Sequence, residues 1–130
     1  MANLYPKTQE NFSQLKYAAD LVDASGVVEL VERWRIEDGL QVGRGGRPPY
    51  VTIRTAIVLW VHMALTKRAQ LVARMSEVVA FGMKPYMRDY FSLVNEDVDL
   101  STVDGRLNYN NDWYNRIWRA LERVRETMEP

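Results

Sequence analysis

The sequence predicts an all-α fold, a compact bundle of four or five helices around a central apolar helix at about 53–68. Three observations carry this. Apolar residues recur at steps of three and four along most of the chain, and no stretch of useful length alternates as a strand would. The segment "AIVLWVHMAL" (56–65) is apolar on nearly every side, as a helix enclosed by other helices is. Glycine or proline stands at the breaks between the periodic stretches, at Gly39, Pro48–Pro49, Gly82 and Pro85.

Residues 1–22 read as an N-terminal arm containing a short helix at most, and residues 23–130 as a single helical domain. The first clear helix is "DASGVVELVERWRIEDG" (23–39), with Ser25 as N-cap, Val27, Leu30, Val31 and Trp34 at helical spacing, and Gly39 as a left-handed C-terminal residue. "GRGGRPPY" (43–50) suits neither helix nor strand. Thr52 is the expected N-cap of the central helix. Ile53, Ala56, Ile57, Trp60, Val61, Ala64 and Leu65 share one face and Val58, Leu59 and Met63 occupy the others, so the helix is expected to be buried all round, with Trp60 central.

Two shorter helices follow, at about 70–81 and 85–93, with Gly82 between them and Pro85 in the first turn of the second. "NEDVDLSTVDGRLNYNN" (95–111) reads as an acidic polar loop. The final helix, at about 112–129, is expected to dock through Tyr114, Ile117, Trp118 and Leu121. No internal repeat and no heptad seam of several repeats appears.

Composition narrows the chemistry. The chain has no cysteine, which removes disulfides, thiolate zinc sites and a cysteine nucleophile. Its one histidine, His62, sits mid-helix among apolar residues and reads as a satisfied core residue. "GRGGRP" lacks the phosphate-loop pattern, and "NEDVDL" lacks the glycine and distal glutamate of a calcium loop. The expectation is therefore no catalytic residue, no metal, no cofactor and no enzyme. The longest apolar run is half of a membrane span, and the polar N-terminus has no signal-peptide core, so a cytoplasmic, non-membrane protein is expected.

Charge balances at 17 basic and 17 acidic residues, but unevenly along the chain. Residues 40–95 hold eight basic and two acidic residues, a net of +6, between flanks that are each −3. The eight are Arg44, Arg47, Arg54, Lys67, Arg68, Arg74, Lys84 and Arg88, and they are the candidate DNA-contacting residues. Arg44 and Arg47 lie in "RGGRP", close to the Arg-Gly-Arg-Pro core that enters the A·T minor groove, though an added glycine shifts their register. Residues 70–93 span the length of a helix-turn-helix, with Lys84 and Arg88 placed to reach phosphates or base edges.

The run "RWRIEDG", then "GRGGRPPYVTIRTAIVLWVHMALTKRAQLVARMSEVVAFG", then "KPYMRDYFSL" and "YNRIWRALERVRETMEP" resembles the N-terminal helical domain of bacterial DDE-type insertion-sequence transposases. The resemblance covers about residues 25–130 and is strongest at 43–82. It implies a module that binds double-stranded DNA at the element's terminal repeats. It implies no catalysis, because the family's acidic triad belongs to a domain that would follow Pro130. The alternative is a protein-interaction or assembly domain, a homodimer or other homo-oligomer or a phage or mobile-element accessory protein. Four tryptophans and seven tyrosines motivate it, if Trp113 and Tyr114, or Tyr86 and Tyr90, stay exposed as interface anchors.

Overall fold

The computed structural model describes residues 9–39 and 49–128. They form six helices and, among the described residues, no strand: α1 (Phe12–Ser25), α2 (Val27–Glu37), α3 (Ile53–Leu65), α4 (Val72–Glu77) continuing as a π-helical turn (Val78–Gly82), α5 (Pro85–Tyr90) and α6 (Val103–Met128). The all-α bundle expected from the sequence is what forms. α1 packs on α3, and α6 crosses α2, α3 and α4.

The expected arm is, from Phe12 onward, a core helix. Asn11 caps α1 by accepting from the Gln14 amide at 3.2 Å. Leu15, Ala18, Ala19 and Val22 then fall on one face and are fully or almost fully buried. Gly26, at φ 73°, turns the chain left-handed and separates α1 from α2. Ser25 therefore ends α1 instead of capping a helix at 23–39. Its hydroxyl still accepts from the Val27 amide at 3.2 Å. Gly39, at φ 70°, closes α2 as expected.

Thr52 caps α3 as the sequence predicts, accepting from the Thr55 amide at 3.1 Å. α3 is enclosed on one side only, not on nearly every side as expected. Thr55, Ala56, Val58, Leu59, His62 and Met63 face inward, while Trp60 is 41% exposed. The reason is that both polar residues on that face find partners. The Thr55 hydroxyl donates to the Phe91 carbonyl at 3.4 Å, and His62 meets Glu10. α3 stops at Leu65, three residues early, because Lys67 adopts φ 59° and the Arg68 amide bonds back to the Met63 carbonyl at 2.8 Å. The same closure ends α5, with Ser92 at φ 56° and the Leu93 amide on the Arg88 carbonyl at 2.8 Å.

α6 begins nine residues before the expected start. Thr102 caps it, accepting from the Gly105 amide at 3.0 Å. The asparagines and glycine of 105–111 disfavour helix, but Tyr109 and Trp113 bury their rings and anchor the first turns. α6 docks through Tyr109, Trp113, Ile117 and Ala120, all buried. Of the expected docking residues only Ile117 is fully enclosed; Tyr114 and Trp118 are exposed, and Leu121 is partly buried.

Candidate interaction surface

The six basic candidates among the described residues do not form one face. Arg44 and Arg47 lie outside the described residues. Arg54 reaches back to Asp23 on α1, with two hydrogen bonds of 2.9 and 3.0 Å. Arg74 pairs with Glu77, one turn on, at 3.0 Å. Arg68 and Arg74 both line a small hollow of about 310 Å³, which Glu77 shares. Among the described residues, Lys67 and Lys84 are exposed and make no ion pair.

Arg68 belongs to a buried polar cluster. Its guanidinium grips Glu10 at 2.5 and 3.0 Å, and His62 Nε2 lies 2.8 Å from the same carboxylate. His62 is 0% exposed. Burial alone would raise the Glu10 pKa, but the hydrogen bonds from His62 and Arg68 outweigh it and hold the group at about 2. The cluster thus pins the residue before α1 to the end of α3. The Glu10 amide also donates to the Gly82 carbonyl at 2.8 Å, tying in the π turn.

Arg88 is the largest departure from the sequence reading. The expected groove-contacting residue is 5% exposed. Its Nη2 donates to the carbonyl of Val79, and to that of Ala80 at 3.4 Å, both in the π turn. Its Nη1 donates to the Val94 carbonyl at 3.3 Å. The rings of Trp113 and Tyr109 flank the guanidinium at 5.2 and 5.8 Å. Burial lowers its pKa below the ordinary arginine value. Arg88 is a structural crosslink of the core. The candidate helix-turn-helix at 70–93 is accordingly α4, a π turn and a six-residue α5 whose arginine points inward.

The surface feature that sequence reasoning did not place is an apolar groove of about 630 Å³ between α2, α3, α6 and the start of α4. Val27, Val31, Ile57, Val72 and Leu121 line it, and Trp60 and Trp118 border it. Trp118 is 47% exposed, so both indoles present substantial apolar area to solvent. Glu122 and Arg125 stand on the rim, paired to each other at 2.6 Å. Of the anchors expected from the sequence, Tyr86, Tyr90 and Tyr114 are exposed and Trp113 is fully buried, while Trp60 and Trp118, both expected in the core, have a spacing that does not tell them apart from core residues.

Among the described residues, no group of three or more acidic or histidine side chains is arranged to hold a metal ion, and no helix is long and apolar enough to cross a membrane. No protein-family model, curated protein or solved structure matches the chain.

Proposed function

We propose that this chain is a non-enzymatic protein-interaction domain and that the groove bordered by Trp60 and Trp118 is its working surface. One observation carries the reading: two half-exposed tryptophans stand over an apolar hollow large enough for the side chains of a partner helix. The chemistry supports it. The one histidine is enclosed and held by Glu10, out of reach of a substrate. Arg54, Arg68, Arg74 and Arg88, half of the basic candidates, are committed to the protein's own carboxylates or carbonyls.

The experiment is site-specific photocrosslinking in cells. A benzophenone amino acid in place of Trp118 should give protein adducts, and the same group in place of exposed Ser13 should not. Absence of adducts at Trp118 would sink the reading.

A DNA-binding module of the transposase N-terminal type is the second reading. Its support is the pair of exposed lysines, Lys67 and Lys84, together with Arg44 and Arg47 in the glycine-rich segment. It requires duplex binding that weakens steeply with salt. Replacing Arg44 and Arg47 with alanine would then lower the log–log salt slope by about 2. Anisotropy showing no binding at low salt would exclude it.

A further inference from the structure

α1 and α2 meet at a single residue. Ser25 ends the first, Val27 begins the second, and Gly26 between them sits at φ 73°. A Cβ at Gly26 would meet nothing within 4 Å, so glycine serves the backbone angle there and not a close approach. The turn is thinly bonded. The Gly26 amide reaches the Asp23 carbonyl at 3.4 Å, and the Val27 amide reaches the Ser25 hydroxyl at 3.2 Å. Among the described residues, no acceptor in α1 takes the amides of Val28 and Glu29. A straight helix through this point would bond the amides of residues 26–29 to the carbonyls of residues 22–25. The sequence points the same way, since 23–39 carries one helical period that runs through Gly26. Hydrogen bonding at the turn favours the straight form, and the docking of α1 imposes the bend.

What holds α1 lies across that turn. Its apolar side packs mainly on α3 and little on α2. Glu10, just ahead of α1, is gripped by His62 and Arg68. Phe12 meets Tyr86 and Tyr90 edge-on at 5.2 and 5.3 Å, and Asp23 pairs with Arg54. All of these partners belong to the body that follows α2. A second copy presents the same seat, so an α1 delivered to it regains the same contacts.

We infer that Gly26 is the hinge of a helix exchange. α1 and α2 straighten into one helix, 12–37, and α1 of each chain docks in the α1 seat of a second copy. Two effects oppose each other. Straightening satisfies the helix ends at the hinge, while pairing two chains costs their freedom of motion. Glycine accepts φ 73° at almost no cost, which keeps the wild-type chain mainly in the closed, single-copy form.

Substitution at position 26 moves this balance in a stated direction. Alanine is disfavoured in the left-handed region and favoured in a helix, together about 30-fold per chain, or about 1,000-fold in the association constant of a pair. Asparagine tolerates the left-handed region and is a poor helix former, so it is the control. In sedimentation velocity Gly26→Ala should be a dimer at concentrations where the wild type and Gly26→Asn are monomers. The chain has no cysteine, so Ser13→Cys with Glu37→Cys gives two unique spin-label sites, both exposed. In doubly labelled Gly26→Ala, refolded with excess unlabelled chain, the distance within one chain should be about 36 Å, from 24 residues of helical rise. In the closed wild-type monomer the bend at Gly26 makes it shorter.

A Gly26→Ala chain that folds as a monomer at every concentration overturns the inference. So does a dimer whose label distance equals that of the closed monomer, or a Gly26→Asn dimer as strong as that of Gly26→Ala. If Gly26→Ala does not fold, the wild-type chain decides. Refolded at high concentration, it should yield a dimer fraction with the long label distance, and a product that is monomeric throughout overturns the exchange.

Discussion

His62 and Glu10 are 52 residues apart in the chain and 2.8 Å apart in the fold. The ring is fully enclosed, so its Nε2 proton has the carboxylate to go to and no water. Arg68 holds the other side of the carboxylate. A segment with little apolar content is thereby fixed to the bundle by a charged contact.

This contact makes stability depend on acid. The Glu10 pKa is about 2 in the folded chain, below the ordinary 4.5 it regains on unfolding. A depressed carboxyl pKa stabilises fully above 4.5, and the contribution disappears as pH falls from there to about 2. The linkage is on the order of 3 kcal/mol at neutral pH. Glu10→Gln should lower the melting temperature at pH 7 and flatten its fall between pH 4.5 and 2. Melts of the two proteins across that range make the comparison. An equally steep acid loss in the variant would assign it to other carboxylates, of which Asp23 and Glu96 also have lowered pKa values, each through a hydrogen bond from an arginine.

Arg88→Met should cost about 3 kcal/mol or more. The substitution keeps a long apolar stem but leaves the buried carbonyls of Val79 and Ala80, and the part-buried one of Val94, without this donor, and each stranded buried group costs about 1–3 kcal/mol. The π turn should also loosen, which amide hydrogen exchange at 78–82 would register. If Arg88 instead served DNA, Arg88→Met would abolish duplex binding with an unchanged urea midpoint.

The two tryptophans Trp60 and Trp113 should respond very unequally to truncation. Trp113 is wholly buried on α6, and Trp113→Ala should cost about 3–5 kcal/mol. Trp60 borders the groove, and Trp60→Ala should cost about 1 kcal/mol or less in the isolated chain. Chemical denaturation of both variants checks the pair. A large loss for Trp60→Ala would restore it to the core.

Those residues also mark where the sequence is legible. Thr52, Gly39 and Pro85 act through local chemistry, capping or turning their own segment, and each does what its residue type suggests. Burial is a property of neighbours. On α3 the inward face carries Thr55 and His62, so polarity alone does not mark which side faces in, and Trp60 is taken for core. α1 is missed because its core contacts are alanines and single aliphatic residues between charges. The internal pairing of Arg54 and Arg68 is hidden for a related reason. The partners of Arg54 and Arg68 lie 31 and 58 residues away, and spacing along the chain does not reveal them. The groove is a product of four helices meeting, and it is written in none of them separately.

Gly105 gives a prediction in which propensity and packing oppose each other. It occupies the first turn of α6, where alanine in place of glycine normally gains about 1 kcal/mol of helix stability. Here a Cβ would lie 2.1 Å from the Asp99 carbonyl oxygen and 2.9 Å from the Thr102 hydroxyl that caps the helix. The first neighbour is backbone and cannot rotate aside. The loop 99–102 would have to retreat, pulling Thr102 from the Gly105 amide and disturbing the Asp99 turn, whose carboxylate accepts from Ser101 at 2.9 and 2.6 Å. Overpacking of this kind costs about 1–3 kcal/mol, so the steric loss exceeds the propensity gain. Gly105→Ala should therefore destabilise the chain, and Gly105→Ser should do so at least as much. The loss should appear as earlier hydrogen exchange in the first turns of α6, with the protected stretch from Trp113 to Ala120 opening later. A variant as stable as the wild type, with unchanged exchange at 103–108, would mean that the loop sits farther from the helix than the 2.1 Å contact requires.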